Sequence, residues 1–207
     1  MRQADDPVPS WFWLIAGING AGKSTLVSQL RRDKIVDAIY YNPDSVTSWL
    51  RGRHEYRGLG LDEVNKCAAD KLMEFLLITL ETTDGSVCVE TVLSTDKYRA
   101  VVQTAQAHRR KFGFVYIGLE SAEQAVQRVK ERVAMGGHDV PEDKVRKRWI
   151  GSLQQLPWFA AQADKMFVFS NAQTDRNPVL IASGDKNGLT WRNKKALPHV
   201  AHALRTG

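Results

Sequence analysis

The chain has 207 residues, of which 43% are hydrophobic and 25% charged, and a formal net charge of +6. That length can bury a core without disulfide or metal staples, and that composition is too apolar for a disordered chain. No apolar run approaches the ~18 residues that span a bilayer, and the positive balance favours anionic partners such as phosphorylated metabolites or nucleic acid.

A polar leader precedes Trp11 to Ala16, a short apolar run that ends at Gly17 and reads as a buried strand. It lacks the basic flank and length of a signal peptide. Lys23 to Arg32 reads as a helix with Leu26, Val27 and Leu30 facing a sheet, and Ala38 to Asn42 as a second strand. Proline ends that strand at Asn42-Pro43-Asp44, where Asp44 can cap a helix from Ser45 to Leu50. From Leu61 to Leu80 apolar residues recur every three or four positions, the clearest helix in the chain.

A turn at Asp84-Gly85 leads to a third strand, Val87 to Val89, ending at Glu90. The pattern then predicts a helix over Thr95 to Phe112 closed by Gly113, with Tyr98, Val101, Val102 and Ala105 inward, and a fourth strand over Phe114 to Leu119. Helices follow over Ala122 to Val133 and Glu142 to Ala163, separated by Gly136-Gly137, and a fifth strand over Met166 to Phe169. Val179 to Ser183 and Leu189 to Arg192 flank a glycine-bounded loop and read as a terminal hairpin.

Strands alternating with helices require crossover connections, so the expected fold is α/β, three layers with a mostly parallel sheet of about five strands flanked by helices. One domain over 1–207 is expected, with a core over 11–171, a lid over 128–148, and a hairpin and tail over 178–207. Cys67 and Cys88 form no zinc-type or redox pattern, so reduced, buried thiols in a cytoplasmic protein are expected. Basic clusters at Arg31 to Lys34, Arg109 to Lys111 and Lys144 to Arg148 come with no long basic tail or aromatic-interleaved motif, which leaves nucleic acid a secondary reading.

Gly17-Ile-Asn-Gly-Ala-Gly-Lys23-Ser24 satisfies Gly-x-x-x-x-Gly-Lys-[Ser/Thr] between a strand and a helix. Glycine lets successive backbone N–H groups converge on a phosphate, aided by the positive end of the helix that follows. Lys23 adds a cation for the outer phosphates, and Ser24 a hydroxyl for Mg²⁺. The three-layer frame is therefore expected to be a P-loop NTPase fold, with ATP or GTP and Mg²⁺ as cofactor, held by Gly17, Asn19, Gly20, Ala21, Gly22, Lys23, Ser24 and Thr25.

A P-loop alone does not choose among hydrolases, switches and kinases. Asp44 lies beyond the second strand, where the carboxyl ends of parallel strands face the ligand crevice, and can take a proton from an attacking hydroxyl; an ordinary helix cap is its bland alternative. Glu90 ends the third strand at the same edge, suited to holding acceptor hydroxyls or a water on Mg²⁺, or else a plain surface residue. Beside the apolar stripe Ala122, Ala125, Val126, Val129 and Val133, Arg128 and Arg132 fall together. From Arg128 to Arg148 seven Lys or Arg stand against four Asp or Glu around Gly136-Gly137-His138, which suits a mobile lid as well as a solvated helix pair.

The loop to Thr25, Asn42-Pro43-Asp44, Glu90-Thr-Val-Leu-Ser94, Arg128-Val-x-x-Arg132-Val, Gly136-Gly-His-Asp-Val-Pro141, Arg148 and Ser152-Leu153 together resemble the zeta-toxin / UDP-N-acetylglucosamine kinase family, from about Trp13 to Asn171. The resemblance implies transfer of a γ-phosphate to the hydroxyl of a nucleotide-activated amino sugar, and a small antitoxin protein as partner. It implies Asp44 as base, Lys23 and Arg132 on the transferring phosphate, Arg128 beside the nucleotide, and Asn42, Glu90, Val92 and Ser94 around the acceptor. Val92 stands where the family often has Thr, Ser94 where the toxin prototype has Arg, and the second lid arginine has to be replaced by His138, Arg146 or Arg148. A kinase of another small hydroxyl compound or of a nucleic-acid end, and a nucleotide-switched binding protein, remain alternatives.

Overall fold

A computed structural model describes residues 9–33, 37–137, 139–173 and 177–206; Lys34 of the first basic cluster and the lid candidate His138 lie outside the described residues. Helices and strands alternate as β1 (Trp11–Ala16), α1 (Lys23–Arg32), β2 (Ile39–Tyr41), α2 (Pro43–Arg51), α3 (Leu61–Thr82), β3 (Val87–Thr91), α4 (Tyr98–Ala107) and β4 (Lys111–Gly118). They continue as α5 (Ala122–Ala134), α6 (Glu142–Gln162), β5 (Lys165–Ser170), β6 (Val179–Asp185), β7 (Gly188–Trp191) and α7 (Pro198–Thr206).

The strands form one seven-stranded sheet in the order β2-β3-β1-β4-β5-β6-β7. β1 to β5 run parallel, while β6 and β7 add antiparallel at the β5 edge, so the expected hairpin extends the main sheet. Side chains alternate across it. Phe12, Leu14 and Ala16 of β1 and Phe112, Phe114 and Tyr116 of β4 meet α2, α3, α4, the later part of α6 and α7. Ile15, Val115 and Ile117 meet α1, α5 and Val145 of α6 on the other face. Apolar burial on both faces explains why the central strands read as continuous hydrophobic runs.

Three expectations are corrected. The helix over Thr95 to Phe112 is shorter: α4 stops at Ala107, Arg109 adopts a left-handed φ of 58°, and Phe112 pairs with Phe12 in the sheet. Gly113 is therefore a strand residue, not a helix cap. It sits opposite Trp13, and a Cβ there would come within 2.2 Å of the indole ring. Asp44 does not cap α2; Asn42 does, its Oδ1 accepting from Asp44 N at 2.8 Å, with Pro43 at the first helical position. Beyond the hairpin the tail folds into α7, and Leu197 just ahead of it is buried against Gly118 at the end of β4.

Within the second basic cluster Arg110 is buried and structural: it donates to the carbonyls of Leu80 (2.6 Å), Thr83 and Gly85 (3.5 Å) at the end of α3 and in the turn beyond it. Cys88 is buried and Cys67 half-buried, both as free thiols; burial pushes the Cys88 thiol up to about 12. None of the described helices is long and apolar enough to cross a membrane.

Gly113→Ala forces the Trp13 ring out of its stack with Trp11 (centroids 5.0 Å apart) and Phe167 (6.3 Å). The expected cost is about 1–3 kcal/mol of unfolding free energy, as for other overpacked core sites, read as a lower urea midpoint at unchanged slope.

Candidate functional site

β1 delivers the chain into a loop pinned on both sides. Gly17 N donates to Thr91 O of β3 at 3.2 Å, while a Cβ on Gly17 would lie 2.6 Å from Ile117 O of β4, so only glycine fits between these strand ends. Gly22 opens α1 in a left-handed conformation (φ 86°), and a Cβ there would lie 2.6 Å from Asn171 Nδ2. Asn171, just beyond β5, donates through that nitrogen to Ala21 O at 3.0 Å and through its backbone to Gly118 O at 2.9 Å. The loop is thus fastened to the ends of β3, β4 and β5.

Lys23 is half-buried, with Nζ 3.3 Å from Ile18 O. Burial lowers its pKa from the ordinary lysine value; Glu90 and Asp44 oppose that shift, while Arg132 and Arg148 add to it. Ser24 Oγ donates to Glu90 Oε2 at 2.9 Å, and Tyr40 OH donates to Glu90 Oε1. Asn42 Nδ2 in turn donates to Tyr40 OH at 3.2 Å. The buried Glu90 carboxylate thereby joins the first turn of α1 to the end of β2.

Two cavities meet over this edge of the sheet. One, of about 320 Å³, is lined by the loop residues Asn19, Gly20, Gly22, Lys23, Ser24 and Thr25 together with Asn42 and Glu90. The other, of about 450 Å³, extends along α3 and is lined among others by Thr47, Asn65, Ser94, Lys97, Lys144 and Arg148. Asn19, Pro43, Asp44, Thr91, Val92 and Arg132 line both.

This divides the residues singled out in the sequence. Asp44, Val92 and Arg132 stand at the junction, and Ser94 in the larger cavity with Gly151 of α6 packed on its carbonyl. Asn42 and Glu90, expected around the acceptor, line the smaller cavity, where Asn42 caps α2 and Glu90 bonds Ser24 and Tyr40. Arg128 lines neither cavity. Its guanidinium donates to Gly20 O and Gln173 O, each at 3.3 Å, so it braces the loop from behind.

Of the described replacements for the second lid arginine, Arg146 is ion-paired with Glu123 on the surface, whereas Arg148 lines the larger cavity and donates to Asn19 Oδ1 at 3.0 Å. Arg132 precedes a glycine-closed helix end in which Gly137 N and Gly136 N bond back to Arg132 O (2.8 Å) and Val133 O (2.9 Å). Tyr40 and Asn171 were not foreseen. Tyr40 is one residue of a short apolar strand, and only the rule that ligands gather at strand ends points to Asn171.

A family model described as an AAA domain matches residues 12–156, well over half of the chain. The chain belongs to this AAA-domain family of P-loop proteins. The AAA domain also matches solved structures, at identities that establish the fold alone. One is a chain of the AvrRxo1-ORF1:-ORF2 complex with ATP, at 19% identity and a TM-score of 0.66, covering 90% of this chain and 61% of that one. This chain therefore spans about three fifths of that relative. A chain of the PezAT chromosomal toxin-antitoxin system of Streptococcus pneumoniae matches at 17% identity and a TM-score of 0.61, covering 100% of this chain and 82% of that one. A gluconokinase from Sinorhizobium meliloti 1021 matches at 15% identity and a TM-score of 0.50, covering 97% and 96%. No curated protein matches the sequence.

Asn171→Ala removes the side-chain bond to Ala21 O and leaves space beneath Gly22. Loss of about 1 kcal/mol of stability is expected, together with faster hydrogen exchange at the amides of residues 19–22 and unchanged protection in β1.

Proposed function

We propose that this AAA domain is a kinase that transfers the γ-phosphate of ATP, or of GTP, to a hydroxyl of a small acceptor. A UDP-activated amino sugar, UDP-N-acetylglucosamine at its 3'-hydroxyl, is the first candidate. The observation that carries the reading is the meeting of a loop-lined cavity of about 320 Å³ and a larger one of about 450 Å³ at one carboxylate and one guanidinium, Asp44 and Arg132.

The loop amides and Lys23 take the nucleotide phosphates in the smaller cavity, and the acceptor occupies the larger. Asp44, exposed at the shared wall, removes the proton from the acceptor hydroxyl as its oxygen bonds to the γ-phosphorus. The bond to the bridging oxygen breaks, and its electrons leave with the nucleoside diphosphate. Arg132, with Arg148 as the second cation, offsets the charge on the phosphoryl oxygens from the acceptor side.

The donor set at Ser24 suits Mg²⁺: a hydroxyl beside a carboxylate provides one direct ligand and an acceptor for a bound water, and among the described residues no cluster of His, Cys, Asp and Glu competes for a softer metal. Bound with the nucleotide, the ion would lower the negative charge that opposes attack. Ser24 would hold it directly and Glu90 through water.

A cytoplasmic site of action and a small antitoxin partner belong to the same reading, the latter supported by the likeness to a chain of a toxin-antitoxin system. A second reading keeps the kinase and changes the acceptor. It is favoured by Val92, an apolar residue in the wall between the cavities, and by the uncharged Ser94 beyond it.

Incubation with Mg-ATP and a panel of UDP-linked amino sugars, free sugars and oligonucleotides, resolved by mass, separates these. A phosphoryl gain on a UDP-amino sugar supports the first choice, gain elsewhere moves the acceptor, and no gain on any member together with no heat of Mg-ATP binding removes the kinase. Asp44→Asn should keep nucleotide affinity within about 3-fold while turnover falls by the ~10²–10⁴ typical of a lost general base. Lys23→Ala should lose nucleotide affinity as well, measured by calorimetry.

A further inference from the structure

Tyr40 lines neither cavity, yet it is bonded to groups at both ends of the site. β2 pairs with β3 so that Tyr40 lies opposite Cys88, which makes Glu90, two residues on, the diagonal neighbour on the same face of the sheet. A phenol is long enough to span that diagonal, and Tyr40 OH donates to Glu90 Oε1 while Ser24 holds Oε2. On the far side Asn42 Nδ2 donates to the same phenol at 3.2 Å, and Asn42 Oδ1 accepts from the Asp44 backbone at 2.8 Å. The chain Ser24, Glu90, Tyr40, Asn42, Asp44 therefore runs without a break from the phosphate loop to the proposed base.

The ring itself is held. Ser24 and Arg31 are seven residues apart on α1 and so share one side of it; the first bonds Glu90, and the guanidinium of the second lies 5.3 Å from the Tyr40 ring centroid. Burial, and after it the bond to Glu90, raise the phenol's pKa above the ordinary tyrosine value, so the hydroxyl keeps its proton and remains a donor.

We infer that Tyr40 is a positioning residue: its hydroxyl holds the Glu90 carboxylate in the orientation that serves the metal-nucleotide end of the site, and through Asn42 it couples that end to the turn bearing Asp44. Its effect on metal affinity rests on the P-loop's binding of nucleotide with a divalent cation; its effect on turnover rests in addition on the kinase reading. Removing the hydroxyl leaves Glu90 with one fixed oxygen and leaves Asn42 Nδ2 without its acceptor. Partners that orient a metal's ligands typically alter metal affinity or activity by ~10–100-fold when mutated.

The test is a cycle of Tyr40→Phe, Glu90→Gln and the double variant in the full chain. Nucleotide affinity is measured by calorimetry with and without Mg²⁺, and Mn²⁺ binding to the nucleotide complex by electron paramagnetic resonance. Tyr40→Phe should weaken apparent metal affinity about 10-fold with metal-free nucleotide affinity unchanged, and should lower kcat with little change in the acceptor KM. In the Glu90→Gln background the Tyr40→Phe effect should vanish, whereas a general loss of packing would persist there and appear in Tm. If wild type responds to metal and Tyr40→Phe matches it in both metal affinity and kcat, the inference is overturned. If wild-type nucleotide binding ignores metal, the metal-site reading beneath it fails instead. Metal-responsive binding with no phosphoryl transfer to any acceptor removes the kinase while leaving the metal-affinity arm in force.

Discussion

The close approach of backbone to backbone at the exit of β1 is the constraint on which the site depends. Gly17 is wedged between the carbonyls of Thr91 and Ile117, one accepting its N–H and the other filling the space a side chain would need. Because those carbonyls lie at the ends of β3 and β4, the loop's position is set by the pairing of the three central strands. Asn171 adds a third tether from beyond β5. A loop tethered in this way loses little ordering entropy when it binds a ligand.

Around that cradle polar side chains are largely committed to one another. Glu90 is buried, yet both of its oxygens are bonded, so its burial is compatible with a carboxylate that stays in place. Arg128 illustrates the opposite use of charge. On sequence spacing it belongs beside Arg132, yet it braces the loop's backbone carbonyl while Arg132, one helical turn later, lines both cavities. Two arginines on one helix face are thus divided between support and site by where each side chain ends, which helical periodicity does not specify.

Sequence periodicity located every strand and helix to within two residues at either end except α4, the start of β4 and α7, because most carry a clear apolar pattern bounded by turn residues. The failures have local causes. The end of α4 was overrun because Arg109 takes a left-handed turn that its residue type does not announce. Gly113 looked like a helix stop because a glycine after a helical pattern usually is one, whereas here it makes room for an indole across the sheet. α7 went unread because its buried residues find their partners on α6 and the sheet, distant in sequence.

The amino-acid order alone determined the α/β frame and the phosphate loop, since both are written in short-range terms: glycine spacing, apolar periodicity, and a lysine and serine at the mouth of a helix. It also brought Asp44 and Arg132 forward as candidates, because strand ends and helix faces can be counted along the chain. Tertiary structure decided that Asp44 and Arg132 share a wall between two cavities, that Arg148 lines the larger of these and Arg128 neither, and that Glu90 and Asn42 both bond to Tyr40. Those outcomes depend on strand register and on contacts between residues tens of positions apart, and no local pattern encodes a distance across a sheet.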